Sequence, residues 1–406
     1  MKVLIIGAGA SGMMAALTAA EDPHNQVTLL ERQNRVGRKL LATGNGRCNL
    51  TNIHASAQHY HGNDPSFVRM ALERFSVEDT LSFFRELGLL TVTEESGKVY
   101  PFSDQANSVV DVLRFALEQR KVDLRCGCEV TAIGKKARGY TVKTAEESFY
   151  CDKLILACGG SAGSKLGGTD WGYKLLRSMG HSMTDLRPSL VQIKTDTIVT
   201  KSLKGVRADA GITLKRNGQI VVRNTGEVQF TDFGISGPAI FELSREVSQK
   251  GDQLLLLDLM RPWEEEAVLA MLLQRRERCP ALAAEELLTG MLQNRLGKIV
   301  LKLSNVELPQ TVSAFDEDAL HRIARTIKYF PMTVTGVMGL ELAQVTAGGI
   351  LTAEFRADTL ESRLCPGLFA TGEVLDIDGD CGGYNLQWAW SSGRLAGKLG
   401  RTGELV

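Results

Sequence analysis

The 406-residue chain has no excess of either charge, since Lys plus Arg and Asp plus Glu both number 47. A long-range field that would draw it onto nucleic acid or an anionic membrane is therefore lacking, and the expected partner is a small molecule rather than a nucleic acid. Long apolar runs are also missing. The most apolar stretch, 254–257, is four leucines, far short of a membrane span. The eight cysteines include no CxxC pair, which argues against a disulfide framework or a zinc ribbon and for a reduced, cytoplasmic protein. Cys126 and Cys128 form a CxC, but alternation along 124–133 reads them as buried neighbours on one strand face, not metal ligands. The N-terminal apolar run is cut by Gly7 and Gly9, so it reads as a first strand and not as a signal peptide. With 44% apolar residues the chain can bury a sizeable core, and its length calls for two or three domains.

What is present begins at residue 3. Residues 3–6, VLII, suit a strand buried on both faces of a parallel sheet, and Gly7, Gly9 and Gly12 lead from it into a helix. In such a turn Gly7 permits the sharp bend, Gly9 lets backbone amides approach a pyrophosphate, and Gly12 lets the helix pack on the sheet. A second buried strand, 27–30, ends in Glu31, about twenty residues past the fingerprint, where a carboxylate accepts hydrogen bonds from an adenosine ribose and repels a 2′-phosphate. These residues predict a dinucleotide site.

The next stretch, RQNRVGRKLLATGNGRCNLTN, sets Arg32, Arg35, Arg38, Lys39 and Arg47 among Gly37, Gly44 and Gly46, with the amides Asn45, Asn49 and Asn52. Backbone N–H groups and positive charge converge there, which suits a loop wrapped around a phosphate or an electron-rich ring. Helices are predicted at 76–88, which opens on a capping-box pattern, and at 107–120. Strands follow at 124–133, 140–144 and 153–157, the last running into Cys158, Gly159 and Gly160.

Residues 159–163 also fit the GxSxG elbow of serine hydrolases, with Ser161 as nucleophile and His181 or His321 as base. An elbow must run straight into an apolar helix, whereas 164–169 is another small glycine-containing loop. From 192 to 330 the texture changes: short strands near 205–214 and 219–223, a helix begun by Pro238, and helices at 263–276 and 285–292 predict an inserted domain. The tail returns to the first texture, with a strand at 368–370 and a terminal helix from Tyr384 whose free amides, after Gly382 and Gly383, face a ligand edge. Asp376, Asp378 and Asp380 imitate a calcium loop, but Cys381 and Gln387 stand where its glycine and glutamate belong. Trp388 and Trp390 read as core.

The motifs GAGASG, GRKLLATGNGRCNLTN, QVTAGGI and TGEVLDIDGDCGGYNLQWAWSSG resemble those of the bacterial flavoprotein family that includes aminoacetone oxidase and 3-dehydro-bile-acid Δ4,6-reductase, over nearly the whole chain. The resemblance implies an α/β fold: a Rossmann-like FAD-binding domain formed by 1–191 and 331–406, and an inserted β-barrel-like and helical domain at 192–330. It implies non-covalent FAD, with Ala10 and Ser11 at the pyrophosphate, Glu31 and Arg32 at the adenosine, and Val130 at the adenine. Arg38, Lys39 and Gly46 would follow the phosphates and flavin, and Glu373, Asn385 and Leu386 the ribityl chain and ring. The function it implies is NAD(P)H-linked reduction of a conjugated C=C bond, with a flavin amine oxidase as alternative. Since only one GxGxxG is present, the nicotinamide would be a transient co-substrate. No residue is singled out as catalytic.

Overall fold

The computed structural model describes residues 1–247, 251–306 and 311–401. Two compact units result, one from Met1–Arg187 with Leu340–Val406, the other from Pro188–Gly339.

The first unit is built on a five-stranded parallel sheet. Its strands are β1 (Lys2–Ile6), β2 (Gln26–Glu31), β3 (Asp123–Cys126), β4 (Lys153–Leu156) and β5 (Leu368–Ala370), in the order β5-β4-β1-β2-β3. β1 lies between β2 and β4, parallel to both, so the strand order reverses there. Crevices outside the carboxyl ends of strands at such a switch point are where open α/β sheets take ligands. Val3, Leu4, Ile5 and Ile6 are all buried, as the apolar run required. Helix α1 (Ala10–Ala19) follows β1, α2 (Ala106–Gln119) lies within the unit, and α3 (Tyr384–Gly397) brings the far end of the chain back against α1. A Cβ on Gly393 would lie 2.4 Å from the Ser11 carbonyl oxygen, so the two helices meet backbone to backbone there. Ser76 and Asp79 form the predicted capping box at the head of Val77–Glu86.

The second unit is a closed six-stranded barrel, ordered Ile193–Thr195, Gly234–Ser236, Gln219–Phe230, Arg207–Arg216, Gln253–Asp258 and Phe330–Val337, with the last strand pairing back to the first. Ile193, Ile212, Leu214, Phe230, Leu255, Leu257 and Phe330 fill it. The closing strand runs beyond the limit of 330 drawn from texture.

Two expectations of local structure fail for identifiable reasons. The stretch 124–133 is not one strand: Gly127, at φ +73°, turns the chain out of β3, and the run resumes as Val130–Lys135 in a separate antiparallel sheet. Cys126 is therefore exposed and Cys128 only half-buried. Residues 285–292 form no α-helix, only the 3₁₀ turn Ala284–Glu286; Gly290, at φ +85°, is incompatible with a helix running on to 292, and the helix starts later, at Asn294–Leu303.

Candidate cofactor site

The predicted site residues all belong to the first unit, and the glycine-rich turn follows the carboxyl end of β1. The Gly7 N–H donates to the Leu30 carbonyl at 2.7 Å, tying the fingerprint turn to β2. A Cβ on Gly7 would meet the Ala157 carbonyl oxygen at 2.4 Å, and one on Gly12 would lie 1.8 Å from the Gly7 carbonyl oxygen. Gly9 is different. It is the N-cap of α1, caps nothing with a side chain, and a Cβ there would find no heavy atom within 4 Å. The protein demands glycine at 7 and 12; at 9 the open space is a cradle at a helix N-terminus.

Glu31 is held ready. Its Oε2 accepts the Ala8 N–H at 2.8 Å and its Oε1 the Gln33 N–H at 2.8 Å, which fixes the carboxylate while leaving lone pairs for a ligand hydroxyl. Arg32 donates to the Gly167 carbonyl at 2.8 Å. Arg38 donates to Gln33 and to the Lys165 carbonyl. Both arginines thus pin neighbouring loops beside the fingerprint. Val130 is buried, and its carbonyl accepts from the Trp171 indole N–H.

Lys39 pairs with Glu373 at 2.7 Å, joining the basic loop to the tail, and the other Glu373 oxygen accepts the Thr346 N–H at 2.8 Å. Thr346 Oγ1 in turn accepts the Ala162 N–H at 2.9 Å. Gly160 is enclosed by this group, since a Cβ on it would lie 2.5 Å from Glu373 Oε1. Thr346 escaped the sequence reading as a site residue, although it stands inside QVTAGGI. Ser11 lies against Gly372. Gly46 faces open space at φ +88°.

α3 begins at Gly383, which has no side chain to cap it, so the N–H groups of Asn385 and Leu386 have no intrahelical acceptor. The Asn385 side chain is taken by its own loop: it accepts the Gly379 N–H and donates to the Gly379 and Asp380 carbonyls. What Asn385 offers a ligand is its backbone. Trp388 and Trp390 are core, their indole N–H groups donating to the Gly372 and Leu50 carbonyls. Cys158, beside the site, donates weakly to the Ile6 carbonyl, and burial pushes its thiol up to about 12, so it stays protonated.

Just ahead of α3, Asp380 bridges two imidazoles, with His59 Nδ1 at 3.0 Å and His61 Nε2 at 2.7 Å. Among the described residues no group of three or more His, Cys, Asp or Glu side chains is arranged to hold a metal ion. Burial alone would raise the Asp380 pKa, but the hydrogen bonds and charge of His61 and His59 outweigh it and hold the carboxyl below its ordinary value. A depressed carboxyl pKa adds stability that is complete above the unfolded-state value and is lost as pH falls through the folded-state value. Asp380→Asn should therefore lose stability at pH 7, with the gap to the parent closing below about pH 4. Urea melts at both pH values check this, and a gap independent of pH would contradict it.

His181, one of the two histidines that a hydrolase reading would pair with Ser161, is occupied elsewhere. His181 Nδ1 meets Glu354 Oε2 at 2.8 Å and its Nε2 meets Ser362 Oγ at 3.0 Å, a Ser–His–Glu array. Ser362 Oγ also accepts the N–H groups of Leu364 at 3.1 Å and Cys365 at 2.9 Å. Both its lone pairs are engaged and the side chain is buried, so the hydroxyl donates to His181 and is no nucleophile. His321 is exposed on the helix Glu317–Lys328 of the second unit. Ser362→Ala should cost about 1–3 kcal/mol of stability, the penalty for orphaning buried partners, and change no esterase activity. Stoichiometric labelling of Ser362 by a serine-directed phosphonate would refute the structural role.

Fold and site together define a Rossmann-like α/β protein whose glycine-rich turn lies at the switch point of its parallel sheet. The chain belongs to the HI0933-like Rossmann-domain family, whose model matches residues 1–399. It is 40% identical over 402 residues to a 3-dehydro-bile acid Δ(4,6)-reductase of Clostridium scindens, covering 98% of both chains. It is 32% identical to a ribosomal RNA dihydrouridine synthase of Escherichia coli, covering 96% of this chain and 95% of that one. Among solved structures, a 3-ketosteroid Δ1-dehydrogenase from Sterolibacterium denitrificans shares the fold at TM-score 0.50 and 13% identity, covering 98% of both chains. A flavocytochrome c3 fumarate reductase does so at TM-score 0.50 and 16% identity, covering 98% of this chain and 77% of that one. Among the described residues no helix is long and apolar enough to cross a membrane.

Proposed function

We propose that this protein is an FAD-dependent oxidoreductase that reduces a carbon–carbon double bond conjugated to a carbonyl, drawing electrons from NAD(P)H. The observation that carries the cofactor is Gly9: its two companions answer to protein atoms, whereas the room left by its missing side chain serves a ligand at the uncapped head of α1.

Glu31 would hold the adenosine ribose, with Arg32 and Val130 beside the base. The amides of Ala10 and Ser11 would hold the pyrophosphate. Lys39, Glu373 and the first turn of α3 would hold the ribityl chain and ring. When bound, FAD supplies hydride transfer through its N5 position. The protein's part is to orient that ring and shield the site with the apolar ends of β1, β4 and β5.

The reaction class rests on what the relatives' names share, since both describe saturation of a double bond next to a ring carbonyl. A steroid-like enone is the leading substrate, on the 40% identity, and the balanced charge supports a small molecule. A uridine within ribosomal RNA is the second reading, on the 32% identity. The test is an anaerobic incubation with NADH or NADPH, a 3-oxo-Δ4,6 bile acid and an rRNA fragment, followed by mass spectrometry. The bile acid should gain a pair of hydrogens. A gain on the RNA alone selects the second reading, and peroxide from aminoacetone in air with neither reduction overturns both.

A further inference from the structure

We infer that His61 is the general acid of the reduction, giving a proton from Nδ1 to the carbon beside the substrate carbonyl, with Asp380 as the residue that positions it; this rests on the enone reading above. Hydride addition to the far carbon of a conjugated double bond leaves an enolate, and the reaction closes only when a proton reaches the near carbon. His61 Nε2 lies 2.7 Å from Asp380 Oδ1. A carboxylate only accepts, so Nε2 carries the hydrogen and Nδ1 is left to exchange a proton. Among the described residues nothing bonds Nδ1, and the side chain is 38% exposed. An imidazole oriented at one nitrogen by a carboxylate and open at the other has the arrangement of a general acid or base. His59 has no such freedom: its Nδ1 meets Asp380 Oδ2 at 3.0 Å, its Nε2 lies 3.4 Å from Gln58 Nε2, and its ring stacks on Tyr384 at 4.4 Å between centroids. It steadies the other side of the carboxylate.

The dyad is fastened to the helix turn that the FAD reading puts at the flavin ring. Asn385, in the first turn of α3, accepts the Gly379 N–H at 2.8 Å and donates to the Gly379 and Asp380 carbonyls at 2.7 and 3.3 Å, so residues 379–380 are tied to that turn. The Asp380 N–H donates to the His59 carbonyl at 2.9 Å, and Tyr60–His61 pairs antiparallel with Asp378–Gly379, which sets His61 opposite Asp378. The Tyr60 hydroxyl donates to the Tyr384 carbonyl at 2.9 Å, a further tie to the same turn. Asp380 and His61 thus stand beside the uncapped head of α3 and, unlike the buried His181, are open to solvent. Around them Asp376 and Asp378 are buried, Tyr60 is kept protonated by burial, Cys381 follows Asp380, and Lys98 lies against Gly382. Attraction to the charged imidazoles helps hold the Asp380 carboxyl below its ordinary value, and the charged form of His61 is the one that gives a proton.

Diethyl pyrocarbonate, with the modified residues read by peptide mass spectrometry, tests the placement without turnover. In FAD-loaded protein His61 should be carbethoxylated along with His24, which is 90% exposed, and a saturated 3-oxo bile acid should protect His61 while leaving His24 labelled as before. Stopped-flow reoxidation tests the role. With the flavin bleached by NAD(P)H, His61→Gln should slow the return of its band on mixing with the 3-oxo-Δ4,6 bile acid by at least about a hundredfold, the usual share of a general acid. The bleaching step, which needs no acid at the substrate carbon, is the control. The wild-type reoxidation rate should fall as pH rises, and Asp380→Asn should move that fall to lower pH because the imidazolium has lost its carboxylate, whereas Asp380→Glu restores it. A merely structural Asp380 would leave the profile in place. Failure of the bile acid to protect His61, or reoxidation of His61→Gln at the wild-type rate, overturns the inference and leaves the FAD reading standing. If His61→Gln fails to fold, the protection and the pH profiles decide. A wild type that binds no FAD, or that the enone does not reoxidise, removes the reading on which the inference rests, and the inference with it.

Discussion

Replacing Gly12 by alanine should leave the dinucleotide unit unable to fold stably, with or without cofactor. The added Cβ would lie 1.8 Å from the Gly7 carbonyl oxygen and 3.1 Å from Ala157 Cβ. Neither neighbour can yield. The Gly7 carbonyl is fixed because its own N–H is bonded to Leu30, and Ala157 follows β4, bonded through its N–H to the Ile6 carbonyl at 2.8 Å. Moving α1 outward would part Met13, Met14, Ala16 and Leu17, all fully buried, from the sheet. Overpacking a core costs typically about 1–3 kcal/mol and more where rigid backbone is met, against a total stability of about 5–15 kcal/mol. Urea denaturation should show a loss of at least about 3 kcal/mol, or the variant should be insoluble. Wild-type melting would mean that α1 does not press on the turn as described.

The companion substitution, Gly9→Ala, should have the opposite profile. Its Cβ meets no protein atom, and the Gly9 backbone, at φ −81° and ψ −170°, suits any residue. The apoprotein should keep its melting temperature or gain slightly, since alanine restricts the unfolded chain. FAD affinity should fall by about tenfold or more, because a methyl stands where the pyrophosphate needs the α1 amides, each charge-assisted bond being worth about 1.5–3 kcal/mol. Isothermal titration and a thermal melt on the same preparation separate the effects. Loss of folding with unchanged FAD affinity would invert the assignment of the two glycines.

The parts of this fold readable in advance are those where one local rule decides. An apolar run ending in glycine can only be a buried strand and turn, so β1, α1 and β2 follow from their own residues. The stretch 124–133 misled because alternation continues across Gly127, and no pattern of apolar residues reports that one glycine has adopted a left-handed conformation. The barrel's closing strand, Phe330–Val337, is defined by pairing with Ile193–Thr195, which sequence distance hides. The same limit governs the side chains. Lys39 and Glu373 are 334 residues apart, and His181 finds Glu354 and Ser362 at separations of 173 and 181. Glycines and acids can be read singly, because their tasks are local; which histidine meets which carboxylate is set by the packed chain.

The most direct measurement of the central claim is an anaerobic reoxidation. The purified protein, loaded with FAD and bleached by a stoichiometric amount of NADH or NADPH, is mixed without oxygen with a 3-oxo-Δ4,6 bile acid while the visible flavin band is followed. The proposed function predicts that the yellow colour returns in proportion to enone added, with one carbon–carbon double bond reduced per flavin. A protein that binds no FAD, or a bleached flavin that stays colourless with the enone and with rRNA yet recovers at once in air, would contradict it.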